Sequence, residues 1–158
     1  MGRLLILVTM AMGALAGPAK ACGLALVLAR DVSSSIDLGE FRFQVDGLAD
    51  ALVDPEIADV LVHEQVALSV VQWSGAEEGD LTIPWRRMLS YDEVRIFAGR
   101  VREMDRKWDG SNTAVGDAIA FSMAQFAAVP DCKRRVIDVS GDGASNSGVP
   151  VVNERKLA

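Results

Sequence analysis

Residues 23–37 read GLALVLARDVSSSID, and this stretch decides the fold class. From Gly23 to Ala29 it is continuously apolar rather than alternating. A strand that reads this way is buried on both faces, as in the centre of a parallel sheet. Asp31 to Ser35 then turns polar and small. Just beyond, Phe41, Val45, Leu48 and Leu52 recur at spacings of four, three and four, the stripe of a helix, which Pro55 stops.

Further along, a short turn of helix is expected from Glu56 to Val62. Val66 to Trp73 and Leu81 to Trp85 read as strands, and the short turn Ser74 to Asp80 between them makes them antiparallel neighbours. Ser90 to Glu93 has the form of a capping box opening a helix whose buried stripe is Val94, Phe97, Val101 and Met104. A polar loop, Asp105 to Asn112, leads into a helix from about Thr113 to Ala127, ahead of Pro130. Arg135 to Ser140 is a fourth strand, followed by the loop Gly141 to Pro150. The order β-α-β-β-α-α-β predicts an α/β fold: a doubly wound, mostly parallel sheet with helices on both faces. Val151 to Ala158 reads as the start of another helix, so the fold is expected to be incomplete at its carboxyl terminus.

Composition narrows the function. The chain has 158 residues, room for one domain. It is 50% hydrophobic and 24% charged, a globular profile. Sixteen basic residues against 22 acidic ones, net -6, argue against a nucleic-acid binder. One histidine, His63, and two cysteines exclude a Cys/His zinc cluster and a disulfide-dense scaffold. His63 lies in a polar connection and reads as a surface residue. Trp73 and Trp85 read as core, and Trp108 as packing over a helix end.

Residues 1–21 have the pattern of a secretory signal peptide. Arg3 provides the positive start, Leu4 to Gly17 the apolar run, and Ala19-Lys20-Ala21 the small-x-small cleavage site. That run is shorter than the ~20 apolar residues a membrane span needs. The alternative is a lipoprotein signal acylated on Cys22, which Lys20 suits poorly. The domain proper then runs from residue 22 to 158, and the chain is expected to be periplasmic or secreted. Cleavage removes Arg3 and Lys20 and leaves the mature chain more acidic still.

Two strands end alike: Asp31-Val32-Ser33-Ser34-Ser35 after the first, and Asp138-Val139-Ser140-Gly141-Asp142-Gly143 at the fourth. Thr113 lies between them in sequence at a loop-to-helix junction. Ligands of open α/β sheets bind outside the carboxyl ends of the strands, where these segments can meet. Two carboxylates and three hydroxyls suit a hard divalent cation, Mg²⁺ first and Mn²⁺ or Ca²⁺ as alternatives. Ser33 and Ser35 would ligate it directly, Thr113 would add a third hydroxyl, and Asp31 and Asp142 would act directly or through water. Neutral hydroxyl ligands leave the ion electrophilic, so an open position can accept an outside carboxylate.

This constellation resembles the metal-ion-dependent adhesion site of von Willebrand factor type A domains. The resemblance rests on D-x-S-x-S (Asp31, Ser33, Ser35), T-x-x-G-x-A (Thr113, Gly116, Ala118) and the Asp142-Gly143 pair after the fourth strand. More narrowly, DVSSSID, VVQWSG, TAVGDAIAF and RRVIDVSGDG resemble an uncharacterised bacterial family of exported type-A-like proteins. Ser34 departs from the family pattern, which has Gly between the two serines. The resemblance implies a non-catalytic binding domain that captures an Asp or Glu of a protein partner through the bound cation. It also implies that the first and fourth strands are neighbours, which brings Cys22 and Cys132 within reach of a disulfide at the opposite edge of the sheet. The competing reading leaves Cys22 lipidated or free and Cys132 an isolated thiol.

Other readings stay open at this stage. Asp31 with Ser33 to Ser35 could be an N-cap cluster, and Asp142-Gly143 an ordinary turn. SGDGASN (140–146) has the look of the last motif of haloacid-dehalogenase-like phosphatases. That chemistry needs an acid two positions after Asp31, where Ser33 stands, and a lysine near the phosphate, for which there is no clear candidate. A fragment without a working site is the third possibility.

Overall fold

The computed structural model describes residues 22–109 and 112–157. The expected signal peptide, residues 1–21, lies outside the described residues, as do Gly110, Ser111 and Ala158. Four strands form one sheet: β1 (Leu24–Asp31), β2 (Ala67–Trp73), β3 (Gly79–Arg87) and β4 (Arg134–Ser140). Their spatial order is β3-β2-β1-β4, with β1 parallel to both β2 and β4, and β3 antiparallel to β2. The helices are α1 (Leu38–Val53), α2 (Pro55–His63), α3 (Tyr91–Glu103), α4 (Val115–Gln125) and α5 (Val151–Glu154).

The apolar run of β1 serves two cores at once. Leu24, Leu26 and Leu28 point to the side of α1, α2 and α3, where Phe41, Val45, Leu52, Val94, Phe97 and Val101 pack. Ala25, Val27 and Ala29 point the other way, toward Ala118 of α4, Phe126 and Val129. Period-two alternation is still present, but both faces are apolar because both are covered. β2 is buried at every position for the same reason.

Several local expectations need correction. The turn of helix after Pro55 is a full helix of nine residues, because Pro55 occupies its first turn and Asp54 accepts hydrogen bonds from the Glu56 and Ile57 amides. Ser90 does cap α3 through the Glu93 amide, but the Glu93 carboxylate pairs with Arg86 instead of closing the box. The reciprocal box lies at α1, between Asp37 and Glu40. Thr113 lies before α4, not within it, and the chain from Phe126 to Ala128 tightens into a 3-10 turn.

One number organises the β1–β4 pair. Their register joins Leu24 to Arg134 and Arg30 to Ser140, and Cys22 and Cys132 share that offset of 110 residues and form a disulfide. Their Cα atoms stand 4.4 Å apart, and the Lys133 amide donates to the Cys22 carbonyl at 3.0 Å. The bond sits at the amino-terminal edge, as the resemblance implied. Among the described residues no helix is long and apolar enough to cross a membrane.

Candidate metal centre

Asp31 is the last residue of β1 and is 1% exposed. The chain then leaves the sheet and folds back, and the Ser33 amide donates to Asp31 Oδ1 at 2.8 Å. This is the side-chain-to-backbone turn that Asp forms two residues on. The N-cap of α1 is Asp37 rather than any member of the Asp31–Ser35 cluster, so that cluster is not spent on capping.

From this turn a continuous set of oxygen atoms extends outward. Thr113 Oγ1 donates to Ser33 Oγ at 3.3 Å, the Ser33 and Ser35 hydroxyls lie 3.1 Å apart, and Ser35 Oγ donates to Asp142 Oδ1 at 2.7 Å. Asp31, Ser33 and Thr113 are buried and form the floor, while Ser35 and Asp142 are exposed and form the rim. All five residues singled out in the sequence therefore meet at the carboxyl end of the sheet.

Burial pushes the Asp31 carboxyl above the usual aspartate range. The two hydrogen bonds from Ser33 oppose that shift, nearby Asp142 adds to it, and Arg106 counters it. Asp31 Oδ2 is buried and has no hydrogen-bond partner among the protein atoms. An unpartnered buried carboxylate oxygen is costly, and a hard cation, or water held by one, would relieve it. Among the described residues no group of three or more His, Cys, Asp and Glu is placed to hold a metal. A cation here would depend on the hydroxyls, and a set of hydroxyl and carboxylate oxygens fits Mg²⁺, Mn²⁺ or Ca²⁺ chemistry.

Thr113 is held by residues distant in sequence. Its amide donates to Asn146 Oδ1, and the Asn146 amide donates back to the Thr113 carbonyl, both at 2.9 Å. Ser145 Oγ accepts from the Val115 amide at 3.3 Å and so caps α4, which has no cap of its own. Asp117 accepts from the Val149 amide at 2.7 Å and from the Glu77 amide at 3.2 Å, tying two loops to one helix. Gly116 permits this docking, since a β-carbon there would meet the Val149 carbonyl oxygen at 2.0 Å.

Sequence reasoning missed three residues that shape the site. Asn146 and Asp117 had no local signal, although both lie in motifs already quoted. The third is Arg106, from the polar loop, whose guanidinium donates to the carbonyls of Val32 and Ser33. His63 is exposed on α2 beside Glu64, Trp108 packs against the α1–α3 core, and Trp85 packs at a tilt against Phe126, ring centroids 5.7 Å apart.

Residues 21–158 match a family described as "Protein of unknown function (DUF1194)", and the chain belongs to it. No curated protein matches the sequence. Among solved structures the chain is similar to proximal thread matrix protein 1 from the mussel byssus, with a TM-score of 0.65 and 20% identity over 88% of this chain and 36% of that one. Another structure of that mussel protein, described as having a zinc-occupied MIDAS motif, superposes with a TM-score of 0.63, at 20% identity and the same coverage. The vWF domain of the type V pili tip protein Mfa5 from Porphyromonas gingivalis gives a TM-score of 0.55 at 12% identity, over 84% of this chain and 42% of that one. The chain thus spans well under half the length of these structures. At such identities the likeness speaks for the fold, and the domain is von Willebrand factor type A-like.

Proposed function

We propose that this member of the DUF1194 family is an exported binding domain whose Asp31, Ser33, Ser35, Thr113 and Asp142 hold a divalent cation, Mg²⁺ first among Mg²⁺, Mn²⁺ and Ca²⁺, and that the loaded site captures an Asp or Glu side chain of a protein partner. The observation that carries this reading is the continuous set of hydroxyl and carboxylate oxygens ending on the unpartnered Asp31 Oδ2. When bound, the cation would supply an electrophilic centre for an outside carboxylate. The chain's own residues would fix where that centre sits, with Asp31, Ser33 and Thr113 as its buried floor.

The charge balance is compatible with an anionic partner once a cation is bound. Asp31 and Asp142 contribute two negative charges, and Arg106 contributes one positive charge against the same turn. Arg106 is itself paired with Asp109 at 3.6 Å, so a divalent cation would offset the two site carboxylates and remove their repulsion of an outside carboxylate, although the chain as a whole is acidic. Export is supported by the residue 1–21 pattern and by the disulfide, which forms and persists in oxidising compartments.

Two measurements test the reading. Calorimetry with MgCl₂ on the oxidised domain should show binding that an Asp31→Ala/Asp142→Ala variant lacks, and equal binding by both would remove the cation site. Retention on a carboxymethyl-dextran surface should require Mg²⁺ and be released by EDTA, with none on an uncharged dextran control. The acidic chain is repelled from such a surface without the cation, so retention that ignores Mg²⁺ would remove the carboxylate-capture step.

A further inference from the structure

We infer that Arg106 is a positioning residue that fixes the Val32–Ser35 turn in the orientation a cation requires, and that Gln72 aims Arg106. This rests on reading that turn as the cation site. The Arg106 side chain is 10% exposed, and its nearest carboxylate, on the solvent-exposed Asp109, is 3.6 Å away. Its fork is directed at backbone: Nε and Nη2 donate to the Val32 carbonyl at 3.3 and 3.0 Å, and Nη2 donates to the Ser33 carbonyl at 2.8 Å.

Peptide planarity makes this contact matter. The Val32 carbonyl and the Ser33 amide belong to one trans peptide unit, so they point in opposite directions. Arg106 holds the carbonyl end, and Asp31 Oδ1 accepts from the amide end at 2.8 Å. Fixing the oxygen therefore aims the N–H at Asp31 and sets the direction in which the Ser33 side chain leaves the backbone. A point charge could not do this as well as a planar fork that reaches two carbonyls.

Gln72 explains why the guanidinium sits there. It lies on β2, is fully buried, and uses both ends of its amide: Nε2 donates to the Asp105 carbonyl and Oε1 accepts from the Lys107 amide, each at 2.9 Å. The two bonds clamp the backbone on either side of Arg106. A buried cation beside a cation site repels the metal but also favours the ionised Asp31, so Gln72→Met, which retains every charge, separates positioning from electrostatics.

The test uses the full oxidised domain with Arg106→Met, Arg106→Lys and Gln72→Met. Positioning predicts Mg²⁺ binding at least tenfold weaker in Arg106→Met despite the lost repulsion. It predicts partial recovery in Arg106→Lys, and weakening in Gln72→Met with every charge retained. Binding as tight as wild type, or tighter, in Arg106→Met would overturn the inference. Should Arg106→Met not fold, Arg106→Lys and Gln72→Met carry the test, and unchanged Mg²⁺ affinity in both would overturn it. A second readout needs no metal: in EDTA, the Ser33 amide should shift and exchange faster with solvent in the variants. Unchanged Ser33 signals would overturn positioning even if wild type bound no Mg²⁺, an outcome that by itself would count only against the cation site.

Discussion

Gly141 stands against Asp31: a β-carbon at position 141 would lie 2.7 Å from Asp31 Oδ2, 3.2 Å from Asp31 Cβ and 3.3 Å from the Trp73 ring. Asp31 and Gly141 also follow the 110-residue offset of the β1–β4 register, so the contact comes from strand pairing and not from a chance loop conformation. Trp73 is buried and cannot retreat. Gly141→Ala should therefore displace the Asp31 carboxylate, cost about 1–3 kcal/mol of stability as an overpacking change, and weaken Mg²⁺ binding. Urea denaturation and calorimetry check both; an unchanged Mg²⁺ affinity would mean that Asp31 does not need its place.

The Asp31 carboxyl gives a pH dependence with a definite sign. Its folded-state value is raised by burial, above that of the unfolded chain. In the absence of metal its contribution to stability is therefore fully present below the ordinary aspartate value and is lost as pH rises through the raised one. Asp31→Asn stays neutral throughout, so metal-free wild type should lose stability relative to this variant as pH rises across that window. Mg²⁺ should reverse the loss in wild type alone. Thermal melts of both proteins in EDTA and in Mg²⁺, over a pH series, measure the difference, and a flat difference would contradict the assignment.

Asn146→Ala should loosen Thr113 without touching any proposed ligand. It removes the acceptor for the Thr113 amide, a part-buried bond, at a cost of about 0.5–1.5 kcal/mol. Asn146→Asp keeps an acceptor oxygen and should retain more of the stability. Chemical denaturation of the pair reads this, and equal loss in both variants would show that the bond to the Thr113 amide is not the cause.

Replacing both cysteines with serine should lower the melting temperature markedly. The bridge closes a loop with a sequence separation of 110 residues. For loops of this size the chain-entropy argument gives at most about 4–5 kcal/mol. Melts of oxidised, reduced and double-serine protein test it. Agreement between the reduced and double-serine forms, both well below the oxidised one, is the expected result.

The sequence carried the fold where one residue's surroundings follow from its neighbours. GLALVLA announced a doubly covered strand because both of its faces meet helices. The five candidate ligands were legible because each sits at the end of a strand or the entrance to a helix, where a motif marks it. What stayed hidden depends on pairs far apart in sequence. The cap of α4 comes from Ser145, thirty residues on, so no local pattern around Thr113 could place the start of the helix. Glu93 had the spacing of a capping box, but Arg86 from β3 offers it a charged partner, and tertiary pairing wins over the local motif. Arg106 went unmarked within the polar loop because a lone arginine carries no sign of which carbonyls it will meet.

The shared offset of 110 residues works like the zero mark of a ruler. Cys22 and Cys132 fix the origin at one end of β1 and β4, and Asp31 with Gly141, the residue before Asp142, is read about 30 Å away at ~3.3 Å per residue. Sliding the strands by a single residue would shift the far graduation by ~3.3 Å, more than the 2.7 Å that separates Ser35 Oγ from Asp142 Oδ1. Calibration at one edge of the sheet thus sets the tolerance at the other, and reducing agents would be expected to blur the alignment of the two aspartates before they unfold the domain.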